Sequence, residues 1–175
     1  MRTCTRCTET QTPKGIAVFK ALHASHNGCL YIIDLAGTET IAEFVRSNDL
    51  ESLSSSDGQF DFWFTPSTRP NHHRVNMAAT EIFAAYTDFD TRNMPLLRGN
   101  IVITAHDKDT GAPSGLTATQ LNVLAHAHPR GRRGRRLTRR CVRDLHRQRI
   151  AAQARHAAAR DEWLYGRVDR SLGHE

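Results

Sequence analysis

The stretch GNIVIT, residues Gly99–Thr104, is the clearest β-strand in the sequence, and the rest of the fold is predicted outward from it. Its three β-branched aliphatic residues follow a glycine, as in a strand that begins directly after a turn. A second strand is predicted at Phe60–Phe64, where phenylalanine occupies every second position of FDFWF. Because side chains alternate between the two sides of a strand, this pattern gives the segment one strongly apolar face.

Two more strands are predicted nearer the N-terminus, at Ile16–Lys20 and Leu30–Leu35. Both runs are rich in β-branched and aromatic residues, and turn-forming residues precede each of them. Asn27-Gly28 stands before the second run and is typical of a tight hairpin turn. Nine residues separate the two runs, however, so a longer connection fits the sequence equally well.

Three short helices are predicted, each after a polar residue that can cap its first turn. Thr40 and Glu43 fit a capping box, in which the threonine hydroxyl accepts from a backbone N–H and the glutamate reaches back. Asn76 is a favourable N-cap, and Thr117 with Gln120 fits a second capping box. The predicted helices are Ile41–Ser47, Met77–Tyr86 and a last one from Thr117 to near His126.

The order of these elements predicts an α+β fold, a small mostly antiparallel sheet with short helices, followed by a C-terminal Arg-rich helical arm. Residues 126–136 contain a proline and two glycines, so a flexible basic hinge is expected there, and Thr138 is expected to cap the helix that follows. The predicted organisation is a flexible N-terminus at 1–13, an α+β domain at 14–125, the hinge at 126–137 and an Arg/Ala-rich helical tail at 138–175.

Charge divides the chain at the same boundary. The formal net charge is +6 at pH 7, but residues 1–125 carry 10 Lys+Arg and 13 Asp+Glu, a net charge of −3. Residues 126–175 carry 14 arginines, no lysine and 5 acidic residues, a net charge of +9. Ten of those arginines lie between Arg130 and Arg149, where Asp144 is the single acid. Such an asymmetry predicts a basic arm that meets a polyanion.

Arginine favours nucleic acid, DNA or RNA, as that polyanion, because the guanidinium group pairs bidentately with phosphate and also stacks on bases. Dense clustering predicts a salt-dependent affinity, and no zinc-finger, helix-turn-helix or RNA-binding signature adds sequence specificity. The alternative explanations are a GC-rich genome that encodes arginine wherever a positive charge is needed, a solubilising tail without a ligand, and an acidic protein partner. The predicted contacts are Arg130, Arg132, Arg133, Arg135, Arg136, Arg139, Arg140, Arg143 and Arg147.

A zinc site is a further hypothesis, because Cys4 and Cys7 form a CxxC pair that matches the spacing of a zinc knuckle. His23 and His26 would complete four ligands, with Cys29 as an alternative fourth. Two residues between the histidines are fewer than the usual three to five, and an apolar run separates the two halves. Unpaired thiols are the competing interpretation, so zinc is the one cofactor that the sequence suggests.

Enzymatic activity is an alternative that would use His72 and His73 in a loop, or His106 just after a strand. The sequence shows no nucleophile elbow, no phosphate-binding glycine loop and no complete calcium loop. Histidines at such places are also ordinary surface residues. The sequence therefore favours a non-enzymatic protein.

Neither a membrane nor an export pathway is indicated. No run approaches the roughly 20 apolar residues of a membrane-spanning helix. The N-terminal MRTCTRCTETQTPKG lacks the apolar segment of a secretory signal, and four cysteines are too few for a disulfide scaffold. These features predict a cytoplasmic protein with no membrane partner.

Residues 28–124 resemble a family of actinobacteria and their phages, the domain of unknown function 3846. The likeness excludes the CxxC start and the Arg-rich tail. It implies a small α+β domain, often encoded by phages or mobile elements, and no assigned catalytic residues. The segments that carry it are Tyr31–Asp34, Phe62–Phe64, Val75–Thr80, Pro95–Thr104 and Gly115–Leu121.

Trp63, Asn76 and Thr80 are candidate contacts for a ligand or partner within that region. For Asn76 and Thr80 the competing interpretation is structural: a helix cap, and a hydroxyl that bonds back to a carbonyl one turn earlier. The leading functional hypothesis is an accessory protein of phage or mobile-element type whose arm binds nucleic acid. The alternative is an interaction module, an inhibitor or counter-defence factor that binds a host or phage protein through an exposed Phe/Trp segment or the arm.

Overall fold

Antiparallel pairing joins six strands into one sheet in the computed structural model, which describes residues 18–66 and 72–165. The order is β2-β1-β5-β4-β3, with β6 paired to β5 beside the end of β1. The strands are β1 Phe19–Ala24, β2 Leu30–Leu35, β3 Glu51–Ser54, β4 Phe60–Phe64, β5 Ile101–His106 and β6 Pro113–Ser114.

Four helices complete the described chain and confirm the predicted α+β fold. The helices are α1 Thr38–Val45, α2 Met77–Ala85, α3 Ala118–Ala125 and α4 Gly131–Tyr165. The last has 35 residues and is therefore ~52 Å long at 1.5 Å per residue.

Both faces of the sheet are covered, so β5 is buried on its two sides. Ile101 and Ile103 point to a core that they share with α2, α3 and α4. Val102, between them, points to the opposite face, where it packs with Ile41 and Val45 of α1. This explains why Ile101, Val102 and Ile103 form a continuous apolar run instead of alternating with polar residues.

The strand predictions agree with the structure at β2 and β4, and the predicted Gly99–Thr104 strand is confirmed as β5, which begins and ends two residues later. Strand β1 runs to Ala24, further than the predicted Ile16–Lys20, whose first two residues lie outside the described part of the chain. Strand β3 was not predicted, because Glu51, Ser52 and Ser54 are exposed polar residues of an edge strand. A five-residue loop that contains Asn27-Gly28 joins β1 to β2.

Two of the three caps predicted for the short helices are confirmed. Asn76 caps α2 and accepts from the backbone N–H of Ala79 at 3.1 Å. Thr117 and Gln120 form the complete capping box of α3. The capping box predicted at Thr40 is wrong, because α1 begins three residues before the predicted Ile41 and its N-cap is Gly37, without a side-chain cap.

The predicted hinge is wrong from residue 131 onward, because residues 131–137 belong to α4. Gly131 has a φ of 62°, a left-handed conformation that glycine adopts without strain, and Gly134 lies too close to the Pro129 carbonyl for any larger residue. The two glycines thus form the sharp entry to the helix. Thr138 lies inside the helix and donates to the Gly134 carbonyl at 3.1 Å, so it is not a cap.

The first half of α4 belongs to the main core. Leu137 and Cys141 are fully buried there with residues of α2 and α3. Burial raises the pKa of Cys141 to about 11, so its thiol stays protonated at neutral pH. The helix that the sequence set apart as a tail beyond residue 125 therefore shares its core with the sheet.

Asn76 connects three segments of the fold, the end of β1, the turn at Gly99 and the start of α2, and it is fully buried. Its amide nitrogen donates to the carbonyls of Ala24 and Gly99, each at 2.9 Å, and of Ser25 at 3.1 Å.

We expect Asn76→Ala to lower the free energy of unfolding by about 3 kcal/mol, because it removes the cap and leaves buried carbonyls unsatisfied. Urea denaturation measures the loss. Thr117→Ala, an exposed cap, is the control and is expected to cost about 1 kcal/mol. Equal costs would contradict this role for Asn76.

Burial of Leu137 predicts that α4 stabilises the domain. We expect Leu137→Ala to cost about 3 kcal/mol of unfolding free energy, the usual range for a leucine in a packed core. Val142→Ala is the control on the same helix, since Val142 is 56% exposed, and we expect it to change the stability by less than ~0.5 kcal/mol. Thermal denaturation compares the two. Similar small effects would show that α4 does not contribute to the core.

Candidate nucleic-acid interface

One face of α4 lies on the domain and the other is open. Leu137 and Cys141 are buried, and Asp144, Leu145 and Gln148 are half-buried. These positions recur at helical spacing, so the contact with the domain forms a single stripe along the helix. Every residue from Gln153 to Trp163 is exposed, so the last turns of α4 extend past the domain.

Two arginines of α4 fix the helix to backbone carbonyls of the loop between α2 and β5. Arg133 donates to the carbonyls of Thr87 and Phe89. Arg140 donates to the carbonyls of Thr91 at 3.1 Å and Met94 at 2.6 Å. Charged donors make strong hydrogen bonds with carbonyl groups, so these two guanidinium groups help to orient α4.

An ion pair makes the third attachment of α4. Arg98 lies 2.8 Å from the Asp144 carboxylate and also donates to the His73 carbonyl at 2.6 Å. Gln148 donates to that carbonyl at 2.6 Å and to Asp144 at 2.8 Å. The pair is half-buried, with side-chain exposures of 34% and 23%. Asp144, the single acid among the ten clustered arginines, is thus engaged by Arg98.

An open groove of 580 Å³ lies between α4 and the loop before β5, and we call it the arginine groove. Asp144 is its single acidic lining residue. Seven arginines line it: Arg92 and Arg98 from the loop, and Arg136, Arg139, Arg140, Arg143 and Arg147 from α4. The excess of arginine gives the groove a positive potential.

The exposed arginines follow the helical repeat. Arg132, Arg136, Arg139, Arg143 and Arg147 are all exposed, and steps of four and three residues place them on one stripe about 22 Å long. Within the described chain, Arg132, Arg136, Arg139 and Arg147 make no side-chain hydrogen bond or ion pair. Their guanidinium groups are available to a ligand.

A second groove, of 1120 Å³, borders the other side of the stripe, and we call it the α2 groove because Glu81 of α2 lines it. Arg130 and Arg135 line only this groove, whereas Arg139 and Arg143 line both. Arg139 and Arg143 thus form a ridge between two basic grooves.

The nine arginines predicted to contact nucleic acid fall into two groups in the structure. Arg133 and Arg140 attach α4 to the domain. The other seven are exposed, and six of these line one or both grooves, with Arg132 at the start of the stripe. The helical spacing alone does not distinguish the attachment residues from the exposed arginines, because it does not show which side of the helix is buried. The sequence missed Arg92, which folding brings to the groove from a distant loop.

The predicted partner contacts in the sheet are mostly interior. Phe60 and Phe62 are buried, so the expectation of an exposed Phe/Trp segment is wrong for them. Trp63 packs against the α1 side of the sheet and donates its indole N–H to Thr104 at 3.0 Å. Asn76 and Thr80 are fully buried, and Thr80 donates to the Asn76 carbonyl at 2.7 Å, as the structural interpretation expects.

The structure describes only some of the predicted zinc ligands. Cys4 and Cys7 lie outside the described residues, so the four-ligand site stays a prediction. His26 is hydrogen-bonded to Asn100, and Cys29 is exposed. Within residues 18–66 and 72–165, no three His, Cys, Asp or Glu side chains are grouped as metal ligands would be.

The histidines considered for catalysis lie in separate places. His72 is buried beside Gly99, and the carbonyl of His73 accepts from Arg98 and Gln148. His106 pairs with the buried Asp61 at 2.8 Å, and Ser54 donates to the same carboxylate at 2.7 Å. Asp61 and His106 lie on the same face of the sheet. They are neighbours because β4 pairs with β5 in this register, which the sequence does not reveal.

Comparisons with known proteins give no relative of this chain: no family model, no curated protein and no solved structure matches it. The resemblance to the domain of unknown function 3846 stays a prediction. Among the helices described, none has both the length and the apolar composition that crossing a membrane requires.

His23 predicts a dependence of stability on acid pH. Its ring lies between Tyr31 and Phe44, with centroids 6.1 and 5.4 Å away, and its Nε2 has no hydrogen-bond partner in the described structure. Burial, and then the charges of Arg46 and His26, lower the pKa of His23 below its usual 6.5. The unfolded chain therefore binds this proton more readily, and stability should fall as pH drops below ~6.5.

We expect His23→Phe to reduce that loss of stability between about pH 7 and pH 5, because phenylalanine keeps the ring contacts without a titrating group. Urea denaturation at several pH values measures it. His146→Gln, which removes an exposed histidine of α4, is the control and should keep the wild-type dependence. An unchanged pH profile in His23→Phe would contradict this explanation.

Proposed function

We propose that the protein binds nucleic acid through the exposed arginine stripe of α4 and the arginine groove beside it. Binding would be through phosphate groups, with little sequence specificity. This function agrees with the accessory proteins of phages and mobile elements to which the family resemblance points, and a cytoplasmic location is part of the same proposal.

One observation carries the proposal: arginines from two distant parts of the chain converge on a single groove that has one acidic lining residue. Unpaired surface arginines repel one another, so a fold gains no stability from bringing them together. A polyanion removes this repulsion when it binds. The convergence of Arg92 with Arg136 and Arg147 supports a ligand more strongly than the composition of the tail does.

The attachment of α4 supports the same function through preorganisation. Arg133, Arg140 and the Arg98–Asp144 pair hold the helix, and Leu137 buries it in the core. The exposed arginines therefore start from a fixed helix, and binding does not have to order the chain that carries them. A disordered tail of the same composition would lose that entropy on binding.

A salt titration tests the proposal. Five arginine–phosphate contacts predict that the logarithm of the affinity falls with the logarithm of the salt concentration with a slope of about −4 to −5 on duplex DNA. We expect Arg136→Gln/Arg147→Gln to reduce the magnitude of that slope by about 2 and to weaken binding about tenfold or more near 0.1 M salt. Fluorescence anisotropy between about 50 and 200 mM salt measures both quantities.

The matched control is Arg155→Gln/Arg160→Gln. It removes the same charge from exposed positions of α4 that lie beyond the grooves. We expect it to change the slope much less. Equal losses in the two variants would contradict the assignment of binding to the groove, and absence of binding at low salt would overturn the proposed function. In that case, capture of a host or phage protein from nuclease-treated lysate would favour the interaction-module alternative.

A further inference from the structure

The exposed face of α4 is basic on both of its sides. Arg136 and Arg147 line the arginine groove on one side, and Arg130 and Arg135 line the α2 groove on the other. The ridge between the grooves carries Arg139 and Arg143, which line both. A single phosphate strand can fill one groove, but it leaves the arginines of the other without a partner. Basic grooves on both sides of the ridge indicate a ligand with two phosphate strands, a point that the proposed function leaves open.

The lining of the grooves disfavours a single strand. Proteins that bind single-stranded DNA or RNA stack the bases on aromatic side chains along a basic groove. Within the described structure, neither groove is lined by phenylalanine, tyrosine or tryptophan, and His128 of the α2 groove is the single aromatic ring in either lining. Both instead offer guanidinium groups, the donors that fit phosphate oxygens. The lining of both grooves thus matches a ligand whose bases are already paired.

The dimensions of the ridge distinguish between the two kinds of duplex. An α-helix with its side chains is about 10–12 Å across, and the major groove of B-form DNA, about 12 Å wide, admits it. The major groove of A-form RNA is deep and narrow, so side chains do not reach into it. A helix whose central ridge is flanked by two rows of phosphate-binding groups therefore fits B-form DNA.

We infer that the ligand is double-stranded DNA, with the Arg139–Arg143 ridge in the major groove and the two phosphate backbones in the two flanking grooves. Arg136 and Arg147 contact one backbone, and Arg130 and Arg135 contact the other. The inference rests on the proposed function and adds the class of nucleic acid and the position of both strands. Because Arg139 and Arg143 line both grooves, their side chains can reach the phosphates of either backbone, and the ridge strengthens binding without selecting a particular sequence.

Competition between three probes of equal length tests the class of ligand. The probes are a DNA duplex of about 16 base pairs, an RNA duplex of the same sequence and one of its single DNA strands, each measured against the full chain at one salt concentration. At about 3.4 Å per step such a duplex is ~54 Å long, so it exceeds the 22 Å stripe on both sides. We expect the DNA duplex to bind at least about tenfold more tightly than either other probe.

Two double variants test the placement of the strands. Arg130→Gln/Arg135→Gln changes only the α2 groove, and Arg136→Gln/Arg147→Gln changes only the arginine groove. We expect each to weaken binding to the DNA duplex and to lower the magnitude of the salt slope by about 2. All four residues are exposed, so circular dichroism should show an unchanged fold.

The outcomes separate this inference from the function on which it rests. Equal affinity for all three probes, or a preference for RNA or a single strand, would overturn the inference and leave nucleic-acid binding intact. An effect confined to the arginine-groove variant would also overturn it, because the protein would then contact only one of the two phosphate backbones. Absence of binding to every probe would overturn both.

Discussion

The burial of Leu137 and Cys141 in the main core is the constraint on which the rest of this structure depends. It turns α4 from an appended arm into a part of the domain and fixes which side of the helix faces solvent. Arg133 and Arg140 then become attachment residues, since their guanidinium groups reach backbone carbonyls of the neighbouring loop. Because the remaining arginines are held on the outer side, a stripe and two grooves arise from a segment that the sequence predicts to be a basic hinge and a separate helical tail.

The positive charge of the chain lies mainly on the outer face of α4. Residues 1–125 carry a net charge of −3, and residues 126–175 carry a net charge of +9. Only one ion pair, Arg98 with Asp144, joins α4 to the rest of the described structure. Most of the positive charge is therefore not neutralised within the fold. It remains on the outer face, where a polyanion can reach it and where added salt screens it.

The sequence predicted those elements whose signals are local. Alternation of phenylalanine marked β4, and Asn76 and Thr117 marked two helix starts, because a cap acts on the N–H groups of its own helix. The sequence did not predict β3, since an edge strand needs few apolar residues. It also misread Gly131 and Gly134 as a break, because their role depends on the path of the chain past Pro129. Arg92 and the Asp61–His106 pair were missed because only tertiary structure brings such residues together.

The most direct test of the central claim is to observe the arginine side chains themselves. Nε–Hε correlations in ¹H–¹⁵N NMR spectra, recorded as a DNA duplex is added to the full chain, report each guanidinium group separately. We expect the signals of four exposed arginines to shift: Arg136, Arg139, Arg143 and Arg147. The chemical shifts of Arg133 and Arg140 should not change. Shifts confined to Arg155 and Arg160, or no shift in any arginine, would contradict it.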